Sequence, residues 1–324
     1  MDPLIKCELF ADHFSTVFNT TTATTDEAAL AASDIPINMI SADVPEITEE
    51  ALLKAAKRLK TSNAPGPDGI PAIVFKKCIS ELANPLVKIF NWSLRQGKFP
   101  ALWKNSHIAP IHKKGNRQDI RNYRGITSLS ACSKLFEMIL SDHLLFHTKS
   151  IISSDQQCLY PGRSVTTNLL CFTSDCIAHI ENGKQVDAVY TDLKAAFDKI
   201  DHRILLEKLA RMGVSDDLVK WLQSYLSGRS LSVKLGSCTS RRFTNTSDVP
   251  QGSNLGPLLF VLYINDVASR LGRGCKLFYA DDLKIYMVID KFSDCQRLQD
   301  LLDIFEDWCQ KNLMTISVQK CAVI

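Results

Sequence analysis

Residues 185–324 predict an α+β fold in which helices cover one face of a mainly antiparallel sheet. Two observations carry this expectation. Apolar patterns along that stretch run strand, helices, strand pair, helix, strand, with the period switching between two and 3.6 residues. The strand pair is parted only by a short turn at Asp281 and Asp282, so its two members are adjacent in the sheet. With 324 residues, 45% hydrophobic and 23% charged, the chain can bury one large core or two smaller ones.

Taken in order, residues 1–45 are rich in Thr, Ala and Ser and read as a short helix followed by a flexible linker. From Thr48, the spacing of Leu52, Leu53, Ala56 and Leu59 behind Glu49 and Glu50 predicts a helix that ends before Ser62. The Pro and Gly residues of 63–70 make a turn, and the apolar helix after it is expected to break at Asn84 and Pro85. Asp187–Leu193 predicts a strand, and Ile204, Leu205, Leu209 and Met212 a helix closed by Gly213. Further helices are expected through Leu218–Tyr225, Leu255–Val267 and Leu298–Trp308, with strands at Leu231–Leu235, Lys276–Ala280, Leu283–Ile289 and Thr315–Ile324.

Several function classes are set aside on composition. No apolar run approaches the roughly 18 residues of a membrane helix, and the first residues lack a secretory leader, so a soluble chain that is neither secreted nor membrane-bound is expected. Eleven cysteines never form a CxxC pair, which favours reduced thiols over zinc, and the i, i+4 pair His143 and His147 has no third ligand at useful spacing. The net charge is only +3, yet Lys98, Lys104, Lys113, Lys114, Arg117, Arg121 and Arg124 face a single acid, Asp119, within one stretch. Alone it reads as a solvated basic loop; beside the carboxylates described next, it reads as a polyanion-binding surface.

In Tyr279-Ala280-Asp281-Asp282, apolar strands on both sides place two carboxylates at a tight turn, where their repulsion is costly unless a cation sits between them. Paired aspartates in turns are also often merely solvated, so a further carboxylate is needed. Asp192, at the end of the first strand, supplies it if the strands are neighbours. Two magnesium ions held about 3.5 to 4 Å apart by such a set suit in-line displacement at a phosphate.

The strings YTDLKAAFD (190–198), VPQGSNLGP (249–257) and FYADD (278–282) occur in the order of reverse-transcriptase blocks. APGPDGI (64–70), IAPIHKKGN (108–116), NYRGITSLSACSKLFE (122–137) and YPGRS (160–164) are similar to the finger blocks of non-LTR (LINE-type, jockey-like) retrotransposons. The chain therefore resembles that reverse-transcriptase domain over residues 50–324. The resemblance implies right-hand polymerase fingers (46–184, with interleaved palm elements) and palm (185–324), with the thumb missing. The activity implied is RNA-directed DNA polymerisation on an RNA template and DNA primer, with dNTPs and two Mg2+ ions or substituting Mn2+, beside an endonuclease domain and in nucleus or cytoplasm. The alternative is a non-catalytic nucleic-acid-binding remnant.

By the same resemblance, Asp192 and Asp281 bind both metals, Asp282 assists on the primer side and the Leu193 carbonyl completes a coordination sphere. Phe197 packs under the incoming sugar, the alternative being a core aromatic. Gln251, Gly252 and Ser253 lie against the templating pair, with Gly252 allowing close backbone approach. Lys113 or Lys114, with Arg124, grips the triphosphate. Lys320, expected in the last strand, sits near the departing pyrophosphate, or is a plain surface lysine. Where the family pattern carries QHGF, this chain has Gln157, Cys158 and Leu159, and a cysteine in a glycine's conformation is expected to strain the backbone by about 1 to 2 kcal/mol.

Overall fold

Asp2 accepts the Leu4 N–H at 2.8 Å, and with Pro3 in the first turn this starts α1 (Pro3–Ser15). A computed structural model of the chain describes residues 2–19, 21–158, 160, 162–272 and 276–324; Leu159 of the altered QHGF string and Pro161 of YPGRS lie outside the described residues. Helix α1 lays Ala11 and Phe14 on Ile108, Leu231, Val233 and Phe243. Where a linker is expected, the chain forms α2 (Thr25–Ala32), opened by reciprocal Thr24 and Glu27 capping bonds. Its buried Ala28, Ala31 and Ala32 form a close-packing face, which the composition alone disguises as low complexity. Residues 38–42 are then tied by backbone bonds to Arg211, Met212 and Gly213. Gly213 has φ +108°, and a Cβ there would lie 2.0 Å from the Ile40 carbonyl oxygen, so only glycine fits.

Thr48 caps α3 (Glu49–Arg58). The next helical stretch divides into α4 (Ala72–Lys77) and α5 (Ile79–Arg95), so it breaks at Cys78 and runs through Asn84 and Pro85. Pro85 removes one backbone bond there, while Ala83, Leu86, Phe90 and Leu94 on either side of it bury a single apolar stripe that holds the helix together. Phe90 stacks on Phe136 with ring centroids 4.3 Å apart. There follow β1 (Asn105–His112), β2 (Tyr123–Ser128), α6 (Ala131–Thr148), α7 (Val165–Ile180), β3 (Gln185–Thr191), α8 (His202–Met212), α9 (Asp216–Leu226) and β4 (Ser230–Leu235). The chain continues through β5 (Cys238–Thr239), β6 (Phe243–Thr244), α10 (Gly256–Arg270), β7 (Lys276–Tyr279), β8 (Asp282–Ile289), α11 (Phe292–Lys311) and β9 (Ala322–Val323).

This is a mixed α/β chain with two sheets. One has the order β2-β1-β4-β5, with β6 on β4 and a parallel β1–β4 pairing. The other, β7-β8-β3-β9, is antiparallel at every pairing. Its strands alternate between two faces. Val189, Leu283 and Ile285 join the main core, whereas Ala188, Leu277 and Tyr286 meet Phe172 of α7 on the opposite face. Helices therefore lie on both faces of this sheet, a correction to the one-face expectation, because α7 comes from upstream of the stretch that predicted it.

The expected last strand is also interrupted. Leu193 bridges Ile316, a 3-10 turn occupies Val318–Lys320, and pairing with β3 resumes at Ala322 and Val323, with Ile324 exchanging backbone bonds with Ala188. Lys320 thus lies on a turn, not in a strand. Cys158 is absent from the residues with positive φ, so it carries none of the expected left-handed strain; its N–H donates to Gln156 Oε1 at 3.0 Å.

An ion pair is sealed inside the helical layer. Lys208 of α8 donates to both Asp266 oxygens of α10 at 2.8 and 2.9 Å and to the Tyr263 carbonyl at 2.7 Å. Its ammonium also lies 5.0 Å from the Trp308 ring centroid of α11. Removing one partner leaves the other charge buried and unpaired, so Asp266→Ala should cost about 3 to 5 kcal/mol in urea unfolding. Lys208→Met with Asp266→Leu should recover most of it. A single variant within about 1 kcal/mol of the parent would contradict this account of the layer.

Candidate active site

The antiparallel register sets the site. Thr191 of β3 faces Leu283 of β8, so the next position along places Asp192 beside Asp282. Tyr279 pairs with Asp282, leaving Ala280 and Asp281 as the hairpin's two turn residues. Ala280 has φ +53°, an uncommon conformation for a residue with a Cβ, and its N–H donates to Gln156 Oε1 at 3.1 Å. Gln156 is buried, and around it the Gln157 N–H reaches the Phe278 carbonyl while the Phe278 N–H reaches Asp155. The turn that carries the two aspartates is thereby braced from outside the sheet.

On the other side, Ala195 also has positive φ, +51°, so the backbone turns sharply just after Asp192. The Ser317 N–H donates to the Asp192 carbonyl and the Lys194 N–H to Thr315, each at 2.8 Å. Leu193, between those two bonds, bridges Ile316 without exchanging backbone bonds with it. The same contact sets the 3-10 turn so that Lys320 Nζ lies 2.7 Å from Asp192 Oδ2.

Electrostatics bind these groups into one neighbourhood. Burial raises the pKa of Asp281 above the usual carboxylate range, reinforced by the charges of Asp282 and Asp192 and opposed by Arg124. Asp282 is raised by burial and Asp192 and lowered by Lys320. Burial lowers the Lys113 ammonium, with Arg124 and Lys320 adding to the shift and Asp198 and Asp192 opposing it. Among the described residues, no three His, Cys, Asp or Glu side chains enclose a metal position as they stand. The carboxylates supply hard oxygen donors suited to magnesium, and here the Lys320 ammonium serves Asp192 as counter-ion.

Of the basic stretch, Lys113, Lys114, Arg117, Arg121 and Arg124 lie on the β1–β2 hairpin and its tip, and Lys98 and Lys104 precede β1. Ile111 pairs with Arg124, and the Lys113 N–H reaches the Asn122 carbonyl at 2.8 Å. Lys113 and Lys114 are both exposed, Lys113 lies in the field of Asp192 and Asp198, and Arg121 is engaged by Asp119 at 2.8 Å. The Gln251–Ser253 turn is fixed to the same hairpin, because the Gln251 carbonyl accepts the Thr127 N–H at 2.8 Å. Gly252 has φ +116°, and a Cβ there would come within 2.7 Å of the Thr127 oxygen. Ser253 is buried and its Oγ accepts the N–H of Gly256, the first residue of α10, at 2.9 Å. Phe197 is half-buried and stacks on Phe260 at 4.4 Å, and its carbonyl accepts the Val249 N–H.

Reading the sequence missed some members. Asp198, the last letter of YTDLKAAFD, is half-buried; burial pushes it up to about 6, with Lys113, Arg124 and Lys199 opposing. Gln156, under the turn, had no signal beyond its place before the YPGRS string. A second basic surface, with Lys54, Lys57, Arg58, Lys60, Lys76 and Lys77 all exposed, arises because α3 and α4 are neighbours in space.

The family described as reverse transcriptase (RNA-dependent DNA polymerase) matches residues 111–324. The chain is similar to the probable RNA-directed DNA polymerase from transposon BS of Drosophila melanogaster, at 28% identity over 97% of this chain and 36% of that protein. It is similar to the RNA-directed DNA polymerase from mobile element jockey of Drosophila funebris, at 27% over 98% of this chain and 36% of that one. A further relative is the retrovirus-related Pol polyprotein from type-1 retrotransposable element R2 of Popillia japonica, 25% identical over 69% of this chain and 31% of its own length. The chain thus spans about a third of the length of these curated relatives. With the match covering well over half of its residues, the chain belongs to the reverse transcriptase (RNA-dependent DNA polymerase) family.

Proposed function

We propose that this chain is the fingers and palm of an RNA-directed DNA polymerase from a non-LTR retrotransposon, adding deoxynucleotides to a primer 3′-hydroxyl on an RNA template. The observation that carries this reading is the meeting of Asp192, Asp281 and Asp282 at one end of an antiparallel sheet, in the same field as Lys113 and Arg124. Three like charges with hard oxygens favour a divalent cation, and the basic hairpin favours a polyanion beside it. In this reading, the β1–β2 hairpin belongs to the fingers and the β7-β8-β3-β9 sheet is the palm floor.

Two magnesium ions, or manganese in their place, supply charge neutralisation at the reacting phosphate and make the primer hydroxyl a better nucleophile. Asp192 and Asp281 hold them, Asp282 stands on the primer side, and the Leu193 carbonyl is the remaining oxygen donor. Arg124 offers a bidentate fork to the triphosphate and Lys113 a point charge; Lys113 is the choice over Lys114 because it already lies in the aspartates' field. Phe197, fixed by Phe260, forms the floor under the incoming sugar and disfavours a 2′-hydroxyl. Gln251 and Gly252 present backbone to the base pair being formed. Lys320 holds Asp192 until substrate arrives and then faces the departing pyrophosphate.

Primer extension on poly(rA)/oligo(dT) with Mg2+ at low salt tests the activity, with Asp281→Ala plus Asp282→Ala as control. Extension by the parent and background from the control is expected. Silence from a folded parent that still binds template would instead favour a non-catalytic nucleic-acid-binding remnant. Lys113→Ala should raise the dNTP KM about tenfold, the equivalent of about 1.4 kcal/mol, and Lys114→Ala less than about twofold. The reverse ranking would reassign the triphosphate contact. The exposed Lys320–Asp192 pair contributes little to folding, so Lys320→Met should change stability by less than about 1 kcal/mol. Freed of that competing ammonium, the carboxylates should bind Mn2+ more tightly in a calorimetric titration. Weaker Mn2+ binding would show that Lys320 does not compete for the site.

A further inference from the structure

Glu137 is a fully buried carboxylate, a costly group to place inside a core unless its oxygens are engaged. One oxygen accepts the Ser133 hydroxyl at 2.9 Å, one helical turn back along α6. The other accepts the backbone N–H of Asn254 at 2.8 Å, immediately after Ser253. Burial raises the Glu137 pKa above the usual carboxylate range; Arg229, also fully buried, opposes that shift and is itself fixed, donating to the Tyr225 carbonyl at 2.9 Å with its guanidinium 5.1 Å from the Tyr225 ring centroid.

The turn that Glu137 holds is the one anchored from its other side to β2. There the Gln251 carbonyl takes the Thr127 N–H, and Gly252 is pressed against the Thr127 oxygen. Arg124 lies on the same strand as Thr127. Residues 251–254 are therefore gripped between a buried carboxyl group on α6 and the strand that carries Arg124. We propose that Glu137 is a positioning residue, a buried carboxylate that clamps the Gln251–Ser253 turn through the Asn254 N–H and so sets where the incoming nucleotide sits.

The consequence for nucleotide binding rests on the polymerase reading; the clamp itself does not. Glu137→Gln keeps the shape but replaces one of the two acceptor oxygens by an amide NH2, which cannot accept either the Ser133 hydroxyl or the Asn254 N–H. Asp266→Asn, in the buried pair remote from the turn, serves as a control for general destabilisation. Amide hydrogen exchange and dNTP kinetics would be measured on the parent and both variants. With Glu137→Gln, exchange within 250–256 should quicken selectively, and the dNTP KM should rise about tenfold while kcat stays within about twofold, the loss expected for one hydrogen bond. Asp266→Asn should lower stability without either local change.

Unchanged protection of 250–256 in Glu137→Gln overturns the clamp, whether or not the chain extends a primer. Faster exchange with an unaltered KM in an active parent overturns its role in placing the nucleotide. A KM rise of the same size in Asp266→Asn does so too, because the effect would then follow from destabilisation alone. If the parent shows no extension while exchange quickens selectively, the polymerase reading fails and the clamp stands. Should Glu137→Gln not fold, Ser133→Ala, which takes away one of the carboxylate's two donors, is compared with the parent in the same exchange experiment; no change at 250–256 counts against the proposal.

Discussion

Repulsion among Asp192, Asp281 and Asp282 is the constraint around which the rest of the chain is arranged. Strand pairing makes it unavoidable: once Thr191 faces Leu283 and Tyr279 faces Asp282, the carboxylates share one end of the sheet. A slip of one residue would turn every apolar side chain of β3 to the wrong face, so the core that fixes the register also fixes the charge cluster. The backbone shows the cost. Ala195 and Ala280, both in the left-handed region, stand just after Asp192 and just before Asp281, and such conformations persist only where the surroundings over-determine them. Gln156 under one turn and residues 315–317 beside the other are those surroundings.

Counter-charge then explains the neighbours. Lys320 is brought to Asp192 by a 3-10 turn that interrupts what would otherwise be a strand. Lys113 and Arg124 come from a separate sheet, on a hairpin whose tip is shaped by bonds such as Tyr123 to the Arg117 carbonyl and Asn122 to the Asn116 carbonyl. The 251–254 turn joins that second sheet to α6, through Gln251 to Thr127 of β2 and Asn254 to Glu137. Glu137 and Arg229 sit at that junction, and Lys208 with Asp266 ties three helices behind it.

How much was legible depends on whether the signal was local. The 276–289 hairpin, α8 with its Gly213 stop, α9, α10 and α11 were all readable, because apolar period and capping chemistry act within a few residues. The Asp281–Asp282 turn was readable for the same reason, whereas its nearness to Asp192 depends on the long-range pairing of β3 with β8, which the sequence left conditional. What failed was long-range. The alanines of α2 look like linker until α8 is there to receive them, and Pro85 looks like a helix break until its neighbours are seen to share a buried face. The β1–β2 hairpin carries too many polar and basic residues to announce strands, and α7 covers the second face of a sheet that begins downstream of it. Asp198, Gln156 and Glu137 acquire meaning only from partners distant in sequence.

The central claim is that the three aspartates form one divalent-cation site facing the basic hairpin. Anomalous diffraction from crystals soaked with Mn2+ and a dNTP tests it most directly. The account predicts manganese between Asp192 and Asp281, with Lys320 withdrawn from Asp192 and the triphosphate against Lys113 and Arg124. Manganese bound elsewhere, with the Lys320–Asp192 pair intact in the presence of nucleotide, would contradict it.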